Sequence, residues 1–305
     1  MVTCCRRGLC GALRTRLGLG QRASSRSTAR PSLAFHVAFH EQRDFDWAQH
    51  AAQFASSLDT PVAETSCGGT GLDEQAALWE RSFEAGTARR NFKERRYLLH
   101  QFPLLQRERL RILEVGCGTG SSVLPILRQN ASAHLYASDP SVSAVRITRE
   151  MAERADVADR LTTSVAETSA SATGGTGFAS IPPVDVALLV FTLSAIASDA
   201  ARRELTRALA SALSPSGHLL FRDYGLYDVR HIKDAAASPQ VARGTFLRPG
   251  GSVRHYWSLE EIAALASDAG LAVTEARYCC TRLPNRRRGT VLDRVFVHAV
   301  LRKHV

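Results

Sequence analysis

From residue 111 onward, short apolar runs alternate with stretches whose apolar positions recur every three to four residues. The runs at 111–115 and 133–138 have strand length, and 141–157 carries the helical period. A polar third strand is expected at 161–166. Residues 184–190 (Val-Asp-Val-Ala-Leu-Leu-Val) form the apolar run expected of a parallel strand covered on both faces. Helical periodicity at 200–213 stops at Ser214-Pro215-Ser216-Gly217, and 218–221 reads as the next strand. Ser258 and Glu261 have capping-box spacing for a helix running to Ala269, with Gly270 as its stop. A final strand pair is expected at 271–280 and 291–300. Together these predict an α/β fold with a doubly wound, mostly parallel sheet, an antiparallel last strand, and ligands at the carboxyl ends of the strands.

Upstream the pattern is weaker. Residues 1–31 combine arginines with Ser, small residues and interleaved leucines, and hold no Asp or Glu. Such a basic leader resembles an organellar, mitochondrial or plastid presequence. Residues 32–105 read as an N-terminal RNA-binding extension. It comprises an aromatic arm (Phe35 to Trp47), a Gly/Thr-rich linker near 59–72, a helix over 73–84, and a basic stretch at 88–99 with Phe92 and Tyr97 among the cations. Residues 106–305 hold the sheet domain. Inside it, 168–183 reads as a low-complexity loop.

Charge and cysteine content narrow the partners. The formal net charge is +10, but the seven arginines of the leader account for most of it, leaving +3 for residues 41–305. Seven cysteines include no Cys-x-x-Cys spacing, which excludes a zinc framework and points to a reducing compartment. His36 and His40 could share a helix face but lack further ligands, so no metal is expected. No run approaches the length of a membrane span, so no membrane partner is expected.

The chemistry centres on Arg111-Ile-Leu-Glu-Val-Gly-Cys-Gly-Thr-Gly120, a strand, a tight glycine turn and a helix start. Glu114, Gly116, Gly118 and Gly120 resemble motif I of class I methyltransferases rather than a dinucleotide fingerprint. An acidic residue at the strand end suits a cationic amino acid better than a pyrophosphate. The ligand read here is S-adenosyl-L-methionine, with Asp139 about 20 residues on for the ribose diol. Glu167 after strand three is a candidate acceptor for the adenine amino group. After strand four stands Phe191-Thr-Leu-Ser-Ala195, and no Asn/Asp-Pro-Pro-aromatic box. After strand five comes Arg222-Asp-Tyr-Gly-Leu-Tyr-Asp228, too polar to read as core.

The octamer Phe221–Asp228 is similar to the signature of the eukaryotic tRNA 3-methylcytidine methyltransferases. Trp79-Glu-Arg-Ser-Phe83, Asn91-Phe-Lys-Glu-Arg95, Phe102-Pro103, Phe191–Ile196 and Arg294-Val-Phe296 resemble the same family in the same order, and the aromatic arm resembles its subgroup with an N-terminal extension. The resemblance implies a class I fold and methylation of cytidine N3 at tRNA position 32, in the anticodon loop. It leaves room for an aminoacyl-tRNA synthetase or another helper as partner. Cytosine N3 carries an in-plane lone pair, so alignment of a flipped base replaces proton abstraction. Asp223 is expected to favour the developing charge on the base, with Arg222 and Tyr224 fixing the pocket and Phe191 stacking. Lys93, Arg95, Arg96, Tyr227, Arg286, Arg287 and Arg288 are expected to bind the RNA. The chain departs from the family at 94–97, where Glu-Arg-Arg-Tyr replaces Asp-Arg-His-Trp. Two rivals remain: a methyltransferase for a small molecule or protein side chain, and a catalytically inactive RNA-binding relative.

Overall fold

A computed structural model describes residues 44–58, 72–85, 93–165, 178, 180–285 and 289–304. The leader, most of the aromatic arm, the linker, Glu167, nearly all of the low-complexity loop and Arg286–Arg288 lie outside the described residues.

Seven strands form one sheet: β1 (Arg111–Val115), β2 (His134–Asp139), β3 (Leu161–Val165), β4 (Val184–Val190), β5 (Leu213–Tyr224), β9 (Leu271–Asn285) and β10 (Thr290–Lys303). Their order is β3-β2-β1-β4-β5-β10-β9. The first five pair in parallel, and β10 runs antiparallel to both neighbours. The class I methyltransferase architecture read from the alternation is thus the one observed.

Alternation along the central strands explains why the apolar runs are uninterrupted. On β4, Val186, Leu188 and Val190 enter one layer, with Leu98, Leu99, Phe102, Ile112 and Leu124. Ala187 and Leu189 enter the other, with Phe221, Trp257 and Leu265. The second layer is closed by α6 (Asp199–Ala212) and α8 (Leu259–Asp268). Ser258 caps α8 as the sequence predicts, accepting from Glu261 N–H at 3.1 Å while its own N–H donates to Glu261 at 2.7 Å. The first layer carries α4 (Val123–Gln129), α5 (Val142–Arg154) and the single turn α3 (Leu98–Gln101). Leu98, Leu99, Phe102 and Leu105 are fully buried there, so this end of the expected N-terminal extension is part of the sheet domain's core.

The helix expected over 73–84 is present as α2 (Leu72–Glu84). Two features were not expected. The segment 44–58 forms helix α1 (Trp47–Leu58), anchored by Trp47 stacked on Tyr278 at 4.1 Å and by His50, whose ring Nε2 sits 2.9 Å from the Tyr227 carbonyl. Between β5 and α8 lie α7 (Val229–Ala237) and a small antiparallel sheet of β6 (Gln240–Ala242), β7 (Thr245–Leu247) and β8 (Val253–His255). The polar composition of 229–255 gave none of these strands a clean period of two.

Candidate active site

One cleft of about 510 Å³ opens at the carboxyl ends of β1, β2, β4 and β5. Its floor is the glycine turn. Gly116 has φ +74°, and a Cβ there would stand 2.6 Å from the Thr192 side chain, so the turn after β1 and the turn after β4 interlock at this residue. Thr192 is fixed by donating to the Val115 carbonyl at 2.9 Å. Gly118 has φ +55°; its N–H donates to Asp139 Oδ2 at 2.9 Å and its carbonyl accepts from Thr148 at 2.8 Å.

Of the residues expected at the donor end, Gly116, Gly118 and Asp139 line the cleft. Asp139 Oδ1 accepts from Ser141 N–H at 3.0 Å. Burial pushes its pKa up to about 6, against the pull of those two N–H groups. Glu114 is wholly buried behind the turn, and no hydrogen bond of ordinary geometry reaches either of its oxygens. Burial raises its pKa to about 7, although the Arg95 guanidinium and the Ser122 hydroxyl lie near enough to pull it down. A buried carboxylate without a well-formed hydrogen bond costs free energy unless a further cation arrives. That is the observation by which the residues fit S-adenosylmethionine. Glu114 would take its α-ammonium, directly or through water, and Asp139 its ribose.

Arg95 lines the same end rather than an outer RNA surface. Its backbone N–H donates to Ser121 at 2.8 Å, its guanidinium donates to Ser122 at 3.1 Å, and it lies 5.2 Å over the Phe191 ring. This places a cation beside the donor's expected carboxylate. Arg96 is exposed and pairs with Glu94 at 2.7 Å, while Lys93 is exposed at the border of the described residues.

Around strand five the expectation needs correction. Successive residues on a strand face opposite sides of the sheet, so Arg222 and Asp223 cannot line one pocket. Arg222 is 2% exposed, with its guanidinium 4.8 Å from the Phe296 ring and 5.5 Å from that of Tyr97. Asp223 is 0% exposed on the other face. Its Oδ2 accepts from Ser194 N–H and its Oδ1 from Tyr224 N–H, both at 2.9 Å. Burial raises its pKa to about 6, tempered by these bonds and by Arg202. Asp223 therefore braces the 192–195 turn, a cleft wall, and its carboxylate does not open onto the base. Tyr227 is also buried, packed against Trp47 and His231, and is not a substrate contact.

Tyr224 alone of the three expected catalytic residues lines the cleft, with Phe191 at 4.9 Å centroid to centroid. Phe191 holds φ +59°, a conformation costing a bulky residue about 1 kcal/mol or more, and such strain gathers at functional sites. Glu167 and Arg286–Arg288 lie outside the described residues.

Sequence reasoning missed the roof. Ala76, Trp79 and Phe83 of α2 line the cleft. Glu80 accepts from the Ser141 hydroxyl and from Ser143 N–H at 3.2 Å, and these bonds hold its pKa below the usual value despite desolvation. Gln75 donates to the Gly251 carbonyl at 3.0 Å and accepts from Val253 N–H at 3.3 Å. The Trp79–Phe83 stretch was visible as a resemblance, but nothing in its spacing announced a lid. Arg230, Arg248 and Arg254, which line the outer end, carried no signal beyond isolated charge.

Comparisons with known proteins agree with this geometry. A family model described as "Methyltransferase domain" matches residues 87–276. The tRNA N(3)-cytidine methyltransferase METTL6 of Mus musculus is 29% identical over 224 residues, covering 70% of this chain and 75% of that protein. O-methyltransferase 3 of Dictyostelium discoideum is 28% identical over 203 residues, 64% of this chain; the chain spans only 44% of that relative's length. A solved SAM-dependent methyltransferase from Methanosarcina mazei superposes with a TM-score of 0.52 at 19% identity, over 67% of this chain and 96% of the other, and so shares the fold. With more than half of its length matched by the family model, the chain belongs to the methyltransferase-domain family and is an S-adenosylmethionine-dependent methyltransferase.

Proposed function

We propose that the substrate is tRNA and the product 3-methylcytidine at position 32 of the anticodon loop. The observation that carries this reading is the lack of a free proton acceptor among the described residues lining the cleft. Asp139 is tied to two backbone N–H groups, and Cys117 is a buried thiol whose pKa burial pushes far up, so it stays protonated. Methylating a hydroxyl requires a group to take its proton. Cytosine N3 requires none.

S-adenosylmethionine supplies an electrophilic methyl group. With the donor held by Glu114 and Asp139, the N3 lone pair would take that methyl, the methyl–sulfur bond breaking as the N–C bond forms, with S-adenosylhomocysteine and a cationic base as products. The chain's own part is alignment. Phe191 and Tyr224 offer aromatic faces for an unstacked base, and the 192–195 turn braced by Asp223 fixes their separation from the glycine turn. The METTL6 relative, named for cytidine N3 chemistry, supports the same substrate. The presequence-like leader makes an organellar matrix part of the proposal. A tagged full-length chain that fails to co-fractionate with mitochondria or plastids would remove that part.

Incubation with total tRNA and methyl-labelled S-adenosylmethionine, then nucleoside analysis, is the test. Label in 3-methylcytidine mapped to position 32 is expected. Label only in a 2′-O-methyl nucleoside, or none in tRNA, would refute the assignment.

A further inference from the structure

The outer end of the cleft holds three arginines from three different elements. Arg230 stands in the first turn of α7, Arg248 leads the β7–β8 turn, and Arg254 lies on β8. Arg254 is 6% exposed and bonds Asp234 at 3.0 Å. Arg230 and Arg248 form no salt bridge among the described residues; the Arg248 guanidinium donates to the Ser252 hydroxyl at 3.3 Å. Of the three guanidinium groups only that of Arg254 is paired with a carboxylate among the described residues, so the cleft mouth carries an excess of about two positive charges. The crowding has a cost. Desolvation, then the neighbouring Arg254 and Arg230, press the Arg248 pKa downward. A cluster held together against its own repulsion is completed by an anion.

Position decides which anion. The Arg254 guanidinium lies 5.1 Å from the centre of the Tyr224 ring, and Phe191 lies 4.9 Å from that same ring. The cluster therefore borders the aromatic platform assigned to the base. A nucleotide presents its phosphate and its base at about this separation, and planar guanidinium forks match phosphate oxygens. The Gln75 bonds to Gly251 and Val253 hold the hairpin that carries Arg248 and Arg254, so the cluster is built rather than a loose surface charge.

We infer that Arg230, Arg248 and Arg254 form a phosphodiester subsite that grips the backbone phosphate next to the nucleotide being methylated and so holds the base out of its stack. This deepens the proposed tRNA activity and rests on it. It also differs from general RNA affinity: the contact is to one linkage, inside the catalytic cleft.

The test pairs enzyme variants with substrate linkages. Full-length tRNA is assembled by ligation with a neutral methylphosphonate either immediately 5′ or immediately 3′ of the target cytidine, alongside the all-phosphodiester molecule. Wild type, Arg248→Gln and Arg230→Gln are compared in kcat/KM, after checking that each variant binds S-adenosylhomocysteine and melts like wild type. At one of the two linkages the wild type is expected to lose about tenfold or more, the scale of a charge-assisted hydrogen bond. Each variant loses a similar factor on ordinary tRNA but nothing further on the neutral linkage, and Arg248→Lys restores part of the loss. A wild type that is active yet indifferent to both linkages, or variants whose losses multiply with the linkage change, overturns the subsite alone. A wild type that methylates no tRNA overturns the tRNA reading and the subsite with it.

Discussion

Glu114 offers the sharpest link between fold and cofactor. Free of donor, the buried carboxyl titrates near pH 7, because desolvation outweighs the pull of Arg95. With an ammonium group beside it the carboxylate stays ionised, so below pH 7 binding must first expel a proton. For a group of pKa about 7, the fraction ready to bind falls from about one half at pH 7 to about one tenth at pH 6, a roughly fivefold loss or ~1 kcal/mol. The donor's own amino group also titrates, so the quantity to measure is a ratio. Isothermal titration with S-adenosylhomocysteine, wild type against Glu114→Gln, removes the ligand's contribution. The wild-type advantage should shrink about fivefold from pH 7 to pH 6, and further by pH 5.5. A ratio that stays flat over this range would show that the carboxylate does not meet the ligand's cation. The buried charge would then be left without a partner in any state.

The same shift makes a statement about stability. A raised folded-state pKa means the native carboxyl takes up its proton first, so the penalty of the buried charge is present above pH 7 and is relieved as pH falls from 7 toward 4.5. Relative to Glu114→Gln, wild type should gain up to about 3 kcal/mol in urea unfolding across that window; His298, pressed down to about 4 mainly by burial, works in the opposite direction in both proteins and cancels in the difference. Asp223→Asn places an amide against two N–H donors and should cost about 1–3 kcal/mol, lowering turnover while the pH–rate profile keeps its shape. A profile that loses a limb would instead put Asp223 on the reacting base. Glu80→Ala frees α2 from the 141–143 turn and should raise the dissociation rate of S-adenosylhomocysteine by about tenfold; an unchanged rate in stopped flow would mean that α2 is not a lid. Gly116→Ala forces a Cβ onto Thr192 and an unfavourable φ, for a loss of about 2–3 kcal/mol visible as a lowered Tm.

The sheet was legible because its strands are covered on both sides. Val184–Val190 is apolar throughout since each face of β4 meets a packed layer, and β1 and β4 were placed residue for residue. The glycine turn was equally plain, since positive φ at 116, 118 and 120 leaves a chemical trace. Strand five was read too short. Ser214–Gly217 looks like a turn, yet it forms the start of a strand running to Tyr224, with Ser216 at φ +61° absorbing the irregularity. The site was legible only in part. Asp139 and Tyr224 line the cleft and Glu114 lies behind its floor, because each stands at or beside the carboxyl end of a strand that the apolar pattern revealed. Arg222 and Asp223 were misassigned by treating neighbours in sequence as neighbours in a pocket, when strand alternation sends them to opposite faces. The lid was invisible because it joins residues more than 170 positions apart, as Gln75 and Gly251 show, and the arginine cluster because the short strands around it carry no clean alternation.

That long-range assembly ties the two ends of the cleft together. Helix α2 grips the donor side through Glu80 and the arginine-bearing hairpin through Gln75, five residues apart on the same element. Trp79 lies between them over the cavity. Any displacement of α2 that admits the donor must also loosen the hairpin, so donor and substrate binding share one conformational step. The two should therefore bind cooperatively, with S-adenosylhomocysteine tightening tRNA by the factor that tRNA tightens S-adenosylhomocysteine. Cutting the hairpin tether with Gln75→Ala should abolish that mutual factor while each ligand alone still binds. A factor that survives the substitution would place the coupling elsewhere, in the 192–195 turn that Asp223 braces between the two ligands.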